Sequence, residues 1–389
     1  MVQILDTTLR EGEQTPGVYF PNHIKLAIAK LLDELGVDII EAGHPLVTKE
    51  IEEAVRQISR YGTRAVVGAH ARSLQKDIDK ALECGVGFLG IFYCVSNDRL
   101  NGVFKKELQD AINEITSMII YAKQQNPDII IRYTPEDTVR SNFNNVIQAA
   151  TAAVHAGADI ISIADTTGYM VPGTNRNMYD FVKKLREELA KNNAYPKIAV
   201  HCHNDKGLAL ANALDAYRAG ADIIDASVLG LGERAGLVDL AQLLIALKEN
   251  FNVENSWDLK KLNELYNLVS RHANIPIPAH FPIMGANAFT HCAGVHTQAA
   301  AQNPAHYQSL DPALVGRKTK ISLDHMSGIA SIKYVLEEIG EDDYDIELIK
   351  KVLERVKAIG QTGRTVEIDE FREIVNWCRH HTTEKILVR

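Results

Sequence analysis

Four short stretches share one pattern: ELGVDII (34–40), ECGVGFL (83–89), HAGADII (155–161) and RAGADII (218–224). Each ends a helical run with a glycine and passes at once into apolar, mostly β-branched residues. The glycine reads as the position just past a helix C-terminus, where a left-handed backbone closes the last turn. The apolar residues after it read as a buried strand. A helix stopped by glycine and followed by such a strand is the seam of a βα unit, and repeated units build a parallel sheet. Working outward from these seams, eight strands are predicted at 2–9, 38–43, 64–71, 88–95, 129–136, 160–166, 197–204 and 223–230. Amphipathic runs such as HIKLAIAKLLDELG (23–36) and NVIQAATAAVHAG (145–157) lie between them. Eight units predict an α/β fold of the (β/α)8 barrel type. The rival, an open doubly wound sheet, lacks a GxGxxG after the first strand.

Beyond about residue 270 the alternation stops. NIPIPAHFPIMG (274–285) is proline-rich and reads as a linker, and the rest of the chain reads as mostly helical. The expected organisation is a catalytic barrel over 1–270 and, over 271–389, a linker with a helical C-terminal lid or dimerisation domain.

With 46% hydrophobic and 24% charged residues in 389, the chain is globular and long enough for one large and one smaller domain. The formal charge of −8 offers nothing to nucleic acid or an anionic membrane, so an anionic substrate must meet local positive groups. No apolar run approaches the roughly 18–20 residues of a membrane span. The N-terminus carries acids where a signal peptide carries basic and then apolar residues. Cys84, Cys94, Cys202, Cys292 and Cys378 are scattered, with no CxxC pair. A disulfide framework is not expected, and a reducing cytoplasm is the expected location.

In a (β/α)8 barrel the C-terminal strand ends and their loops build the active site. Those ends carry Arg10, Glu11 and Gln14, then Glu41 and His44, His70 and Arg72, Arg132, Thr134 and Glu136, Asp165 and Thr166, His201 and His203, and Glu233 and Arg234. So many polar groups aimed at one mouth are costly without partners, which points to a ligand or metal. His201 and His203 stand two apart on a strand, so both rings face the same side. Strand eight of a closed barrel neighbours strand one, which brings Glu11 near them. Two imidazoles and a carboxylate suit a divalent cation such as zinc, manganese, magnesium or cobalt, with positions left for a chelating substrate. Plainer roles are assigned to Glu13 as a solvated loop acid and to Asp165 as a residue ordering a loop. Arg10 has a structural alternative in an ion pair with Glu41 or Asp6, and Arg132 in bracing the barrel through Glu136. Cys202 alternates with the histidines and is expected to pack outward.

DTTLREGEQ (6–14), IADTTGYMVP (163–172), HCHND (201–205), LGLGERAG (229–236) and FTHCAGVHTQA (289–299), in this order, resemble the acetyl-CoA-dependent 2-oxo-acid condensing enzymes. That family includes homocitrate, isopropylmalate and citramalate synthases, and it sits beside hydroxymethylglutaryl-CoA lyase. Glu11 within REGEQ, the segment IRYTPEDTVRS (131–141), and Leu229 and Leu237 are most similar to homocitrate synthases. Pro135, Cys292 and Ala235 depart from the pattern usual there.

The resemblance implies that Glu11, His201 and His203 hold the cation and that Arg10 faces the ketone oxygen. It implies that Gln14, His70, Arg132, Thr134 and Thr166 line the oxo-acid pocket. It makes Glu136 and His296 an acid–base pair with Tyr307 beside them. It further implies acetyl-CoA as co-substrate and a homodimer whose active site is shared between chains. The implied reaction is condensation of acetyl-CoA with 2-oxoglutarate to homocitrate, a step of lysine biosynthesis by the aminoadipate route. Another 2-oxo acid, giving isopropylmalate or citramalate, stays open as an alternative. A hydroxyacyl-CoA lyase is the more distant alternative, and HCAGVHTQA (291–299) fits it less well.

Overall fold

Glycines at the four seams take left-handed φ angles of 98° (Gly36), 79° (Gly85), 113° (Gly157) and 94° (Gly220), and a strand begins within three residues of each. The computed structural model describes residues 2–381. The strands are β1 (Gln3–Asp6), β2 (Ile39–Glu41), β3 (Val66–Arg72), β4 (Phe88–Cys94), β5 (Ile130–Glu136), β6 (Ile160–Asp165), β7 (Lys197–Cys202) and β8 (Ile223–Ala226). They pair in parallel in sequence order, and β8 pairs with β1 to close the barrel. Each lies inside or overlaps a stretch expected from the sequence. Among the described residues, no helix is long and apolar enough to cross a membrane.

The period of two along a strand stacks the barrel interior in layers. Leu5, Ile39, Phe88, Ile160, Ala199 and Ile223 form an apolar floor, with Val66 and Ile130 against it. Two residues further along six of these strands, the same inward face carries Thr7, Glu41, Arg132, Ser162, His201 and Asp225. Another step up brings His70, Phe92, Thr134 and His203. The site therefore rests on an apolar floor and begins with a layer of buried charge.

After β8, the loop LGLGERAG (229–236) folds back toward the turn after β1. Gly236 has φ +76°, and a Cβ there would stand 1.8 Å from the Gly230 carbonyl oxygen. Its neighbour Gly232 lies where a Cβ would be 3.2 Å from Glu11 Cγ, and its carbonyl accepts from Thr15 Oγ1 at 3.1 Å. Gly236→Ala is expected to cost at least about 1–3 kcal/mol from backbone strain alone and to loosen Glu11. Chemical denaturation checks this. An unchanged midpoint would show that the loop absorbs the methyl group.

The chain divides into two compact units, Met1–Ile277 and Pro278–Arg389. The second has helices Gly294–Gln302, Ile329–Glu338, Ile346–Gly360 and Ile368–His380. The last three pack around Ile332, Leu336, Val352, Val356, Phe371 and Val375. The sequence predicts a mostly helical unit without strand–helix alternation, and the structure adds one short pair, β9 (Thr290–His291) and β10 (Lys320–Ile321), in parallel. Two residues each are too few to leave a readable period.

Candidate active site

A cavity of about 270 Å³ opens at the C-terminal ends of the strands, and Arg10, Glu11, Gln14, His70, Arg132, Thr134, Glu136, Thr166, His201 and His203 all border it. These ten are every barrel residue that the sequence analysis assigned to the site. His296 and Tyr307 belong to the second unit, where their ring centroids lie 4.2 Å apart.

Glu11, His201 and His203 each offer a ligand atom, and these atoms lie within 4.8 Å of one another. His203 Nε2 stands 3.9 Å from Glu11 Oε1. His201 Nδ1 is 3.0 Å from Asp225 Oδ2, which leaves its Nε2 for a ligand role. Burial pushes the His203 pKa down to about 4, helped by the charge of His201 and opposed by Glu11. Its imidazole is therefore neutral at pH 7, as a ligand must be. For Glu11, burial raises the pKa, but Arg10, His201 and His203 outweigh it and hold the carboxyl below its usual range. A carboxylate beside two imidazoles fits a divalent cation.

Beneath the triad runs a buried chain of charge. Arg10 pairs with Glu11 through Nη1 and with Glu41 through Nε at 2.6 Å. Glu41 also accepts from Thr7 Oγ1 at 2.7 Å and from Arg132 Nη2 at 3.1 Å. His70 Nδ1 stands 3.2 Å from Glu41. Arg132 Nη1 donates to both oxygens of Asp225, at 3.0 and 2.8 Å. Burial raises the pKa of Glu41, but Arg10 and Arg132 more than reverse this and keep it ionised. Burial lowers the His70 pKa to about 4, with Arg10 adding to the effect, so His70 is a neutral partner. In formal charges, Arg10 and Arg132 face Glu11, Glu41 and Asp225, two positive against three negative. A divalent cation would add two positive charges beside Arg10, which favours binding of an oxo-acid carboxylate there. Gly90 gives this cluster room: a Cβ there would lie 3.2 Å from His70 Nδ1 and 3.4 Å from Glu41 Oε1.

The structure corrects several of the plainer assignments. Glu13 is not solvated; it accepts from Phe20 N at 2.8 Å and pairs with the buried Lys25 at 2.5 Å. Arg132 braces the barrel through Glu41 and Asp225, whereas Glu136 is held by Arg99 at 2.9 Å. Arg10 takes Glu41, not Asp6, as a structural partner. Asp165 does order its loop, accepting from Tyr169 N and Met170 N at 2.6 and 3.1 Å. Cys202 is fully buried, as its alternation with the histidines predicts. Sequence reasoning does not find Asp225, Ser162 or Arg99. An aspartate inside the apolar strand IIDA is the available signal for the first; the other two leave none.

Arg132 Nε, Thr134 Oγ1, Ser162 Oγ and His203 Nδ1, on residues that border the cavity, are buried and have no hydrogen-bond partner among the described residues.

Fold and site together define a (β/α)8 enzyme whose chemistry sits on an ionic layer at the strand ends. Residues 1–269 match the HMGL-like family model, and residues 283–364 match that of the homocitrate synthase post-HMGL domain. A homocitrate synthase of Pyrococcus horikoshii is 42% identical over 355 residues, covering 91% of this chain and 94% of that protein. A probable 2-isopropylmalate synthase of Ignicoccus hospitalis is 38% identical over 374 residues, covering 96% and 91%. The crystal structure of the HMG-CoA lyase from Brucella melitensis shares the fold, with a TM-score of 0.56 at 21% identity over 70% of this chain and 99% of that one. The chain belongs to the HMGL-like family, among its homocitrate synthase-like condensing acyltransferases.

Proposed function

We propose that this enzyme condenses acetyl-CoA with 2-oxoglutarate, using one divalent cation per chain, to give homocitrate and CoA. The observation that carries this reading is the Glu11–His201–His203 triad set directly beside Arg10 on one cavity. The relatives named homocitrate synthase support the product. A bound divalent cation supplies a chelation point for the oxo acid and polarises its ketone.

The chain's own residues do the rest. Arg10, fixed by Glu11 and Glu41, presents its guanidinium to the oxygen that becomes an alkoxide. Arg132 and Thr134, with His70, Thr166 and Gln14, line the pocket that receives the remainder of the oxo acid. A base takes a proton from the methyl group of acetyl-CoA, and the enolate carbon attacks the ketone carbon. The new alcohol oxygen takes up a proton, and water cleaves the thioester to a carboxylate and CoA. An imidazole is the commonest side chain for such proton abstraction, which favours His296. Glu136 orients it, with Tyr307 beside it. In this reading the enzyme is a cytoplasmic homodimer, and the partner subunit's His296 completes each barrel.

CoA release, followed with a thiol reagent, tests the substrate. With acetyl-CoA, 2-oxoglutarate is expected to give the highest kcat/KM against 2-oxoisovalerate, pyruvate and oxaloacetate. A higher value for 2-oxoisovalerate or pyruvate would place the enzyme with the isopropylmalate or citramalate synthases instead. Arg132 is a poor residue to truncate, because its loss strands Glu41 and Asp225 without their shared cation. Thr134→Val is the better probe. Losing a hydrogen bond to a carboxylate, about 1.5–3 kcal/mol, should cost 2-oxoglutarate on the order of tenfold to a hundredfold in kcat/KM. An equal loss for pyruvate, which has no second carboxylate, would remove Thr134 from that role.

A further inference from the structure

We propose that Asp225 is a positioning residue that fixes the metal ligand His201 through Nδ1 and ties it to Arg132. The proposal rests on the metal site described above and deepens it. Asp225 is the third residue of β8, faces the barrel interior and is fully buried. Its plainest role is counter-ion to Arg132. That role alone leaves one contact unexplained. The same atom, Oδ2, stands 2.8 Å from Arg132 Nη1 and 3.0 Å from His201 Nδ1. A neutral imidazole has one N–H and one lone pair. With the N–H on Nδ1 engaged by Asp225, the lone pair is on Nε2, the nitrogen on the far side of the ring. Nδ1–H is the minor tautomer of free histidine in water, so an acceptor at Nδ1 is needed to favour it, and here that acceptor is the Asp225 carboxylate.

The contrast with His203 sharpens the assignment. Its Nδ1 is buried and, among the described residues, has no hydrogen-bond partner that would select its tautomer through that nitrogen. Of the two imidazole ligands, only His201 is held by a carboxylate through Nδ1. The carboxylate is held in turn: Arg132 bridges Asp225 to Glu41, and Glu41 fixes Arg10. One buried chain of charge thus runs from His201 to the guanidinium proposed to stabilise the alkoxide, and Asp225 is its link to His201.

The test has two readouts other than turnover. In metal-free wild-type protein carrying ¹⁵N-histidine, with the His201 signals assigned from the spectrum of His201→Ala, His201 is expected as the Nδ1–H tautomer. In Asp225→Asn, calorimetric titration with Mn²⁺ and no substrate is expected to show affinity weakened on the order of tenfold to a hundredfold. The Nε2–H tautomer in the wild type overturns the proposal. So does a folded Asp225→Asn chain that binds Mn²⁺ as tightly as wild type while its KM for the oxo acid rises, since that is the behaviour of a counter-ion alone. If Asp225→Asn does not fold, the wild-type tautomer decides. A wild-type chain that binds no divalent metal removes the site itself, a result distinct from a wild type that binds metal through an unselected His201.

Discussion

A His203→Ala chain is expected to lose its divalent cation and at least about a thousandfold in kcat/KM, while its stability changes by no more than about 1–2 kcal/mol. The rate loss follows from Lewis-acid stabilisation worth several kcal/mol, at about 1.4 kcal/mol per tenfold. The small stability change follows from what His203 touches. Among the described residues its Nδ1 has no hydrogen-bond partner, and Glu11 stands 3.9 Å from its Nε2. Truncating its side chain breaks no hydrogen bond through that nitrogen. The apolar floor of Leu5, Ile39, Phe88 and Ile223 lies two layers below and does not feel the change. His201→Ala should abolish turnover equally but destabilise more, because it deprives Asp225 of a partner. Chelation of the wild type should stop turnover and leave the melting curve close to its starting position, with activity restored by added metal. Metal analysis, CoA release and thermal denaturation on the same samples check all of this. A fully active His203→Ala chain, or full turnover by verified metal-free enzyme, would end the metal reading.

Mixing two inactive chains, His296→Ala and Glu11→Ala, is expected to restore activity once subunits exchange. If the partner subunit's His296 completes each barrel, a mixed dimer has one site with both wild-type residues and one with neither. About half the activity of a wild-type dimer then returns per mixed dimer, by the symmetry of a two-fold pair. The single variants should each be nearly inactive, Glu11→Ala for lack of metal and His296→Ala for lack of a base. A general base contributes about 10²–10⁴-fold, so the recovery stands well above background. Mass analysis confirms the exchange. Confirmed mixed dimers with no recovered activity would show that each chain uses its own His296. His296 and Tyr307, eleven residues apart in sequence, stand ring against ring in the second unit, consistent with a pair that works together.

The eight strands are legible in the sequence because strand period, helix period and glycine stops are local properties of the chain. The grouping of Glu11, His201 and His203 is legible for a related reason. His201 and His203 share a face by a spacing of two, and closure of the barrel brings strand one near strand seven without any detail of packing. REGEQ and the four other motifs set the family. Which charges meet is another matter. Arg132 reads as a substrate residue, and its partners lie 91 and 93 residues away, at Glu41 and Asp225. Their pairing depends on barrel closure and on all three standing in the same interior layer, one step above the apolar floor. Glu13 reads as a solvated acid because nothing local shows that Lys25 is buried beside it. Arg99 reaches Glu136 only through the fold of the segment after β4. Asp225 looks like an oddity in an apolar strand until closure sets it between His201 and Arg132. Side-chain period is a property of neighbours in sequence, whereas ion pairing inside a barrel is a property of strands brought together across it. The first is written along the chain; the second exists only once the barrel has closed.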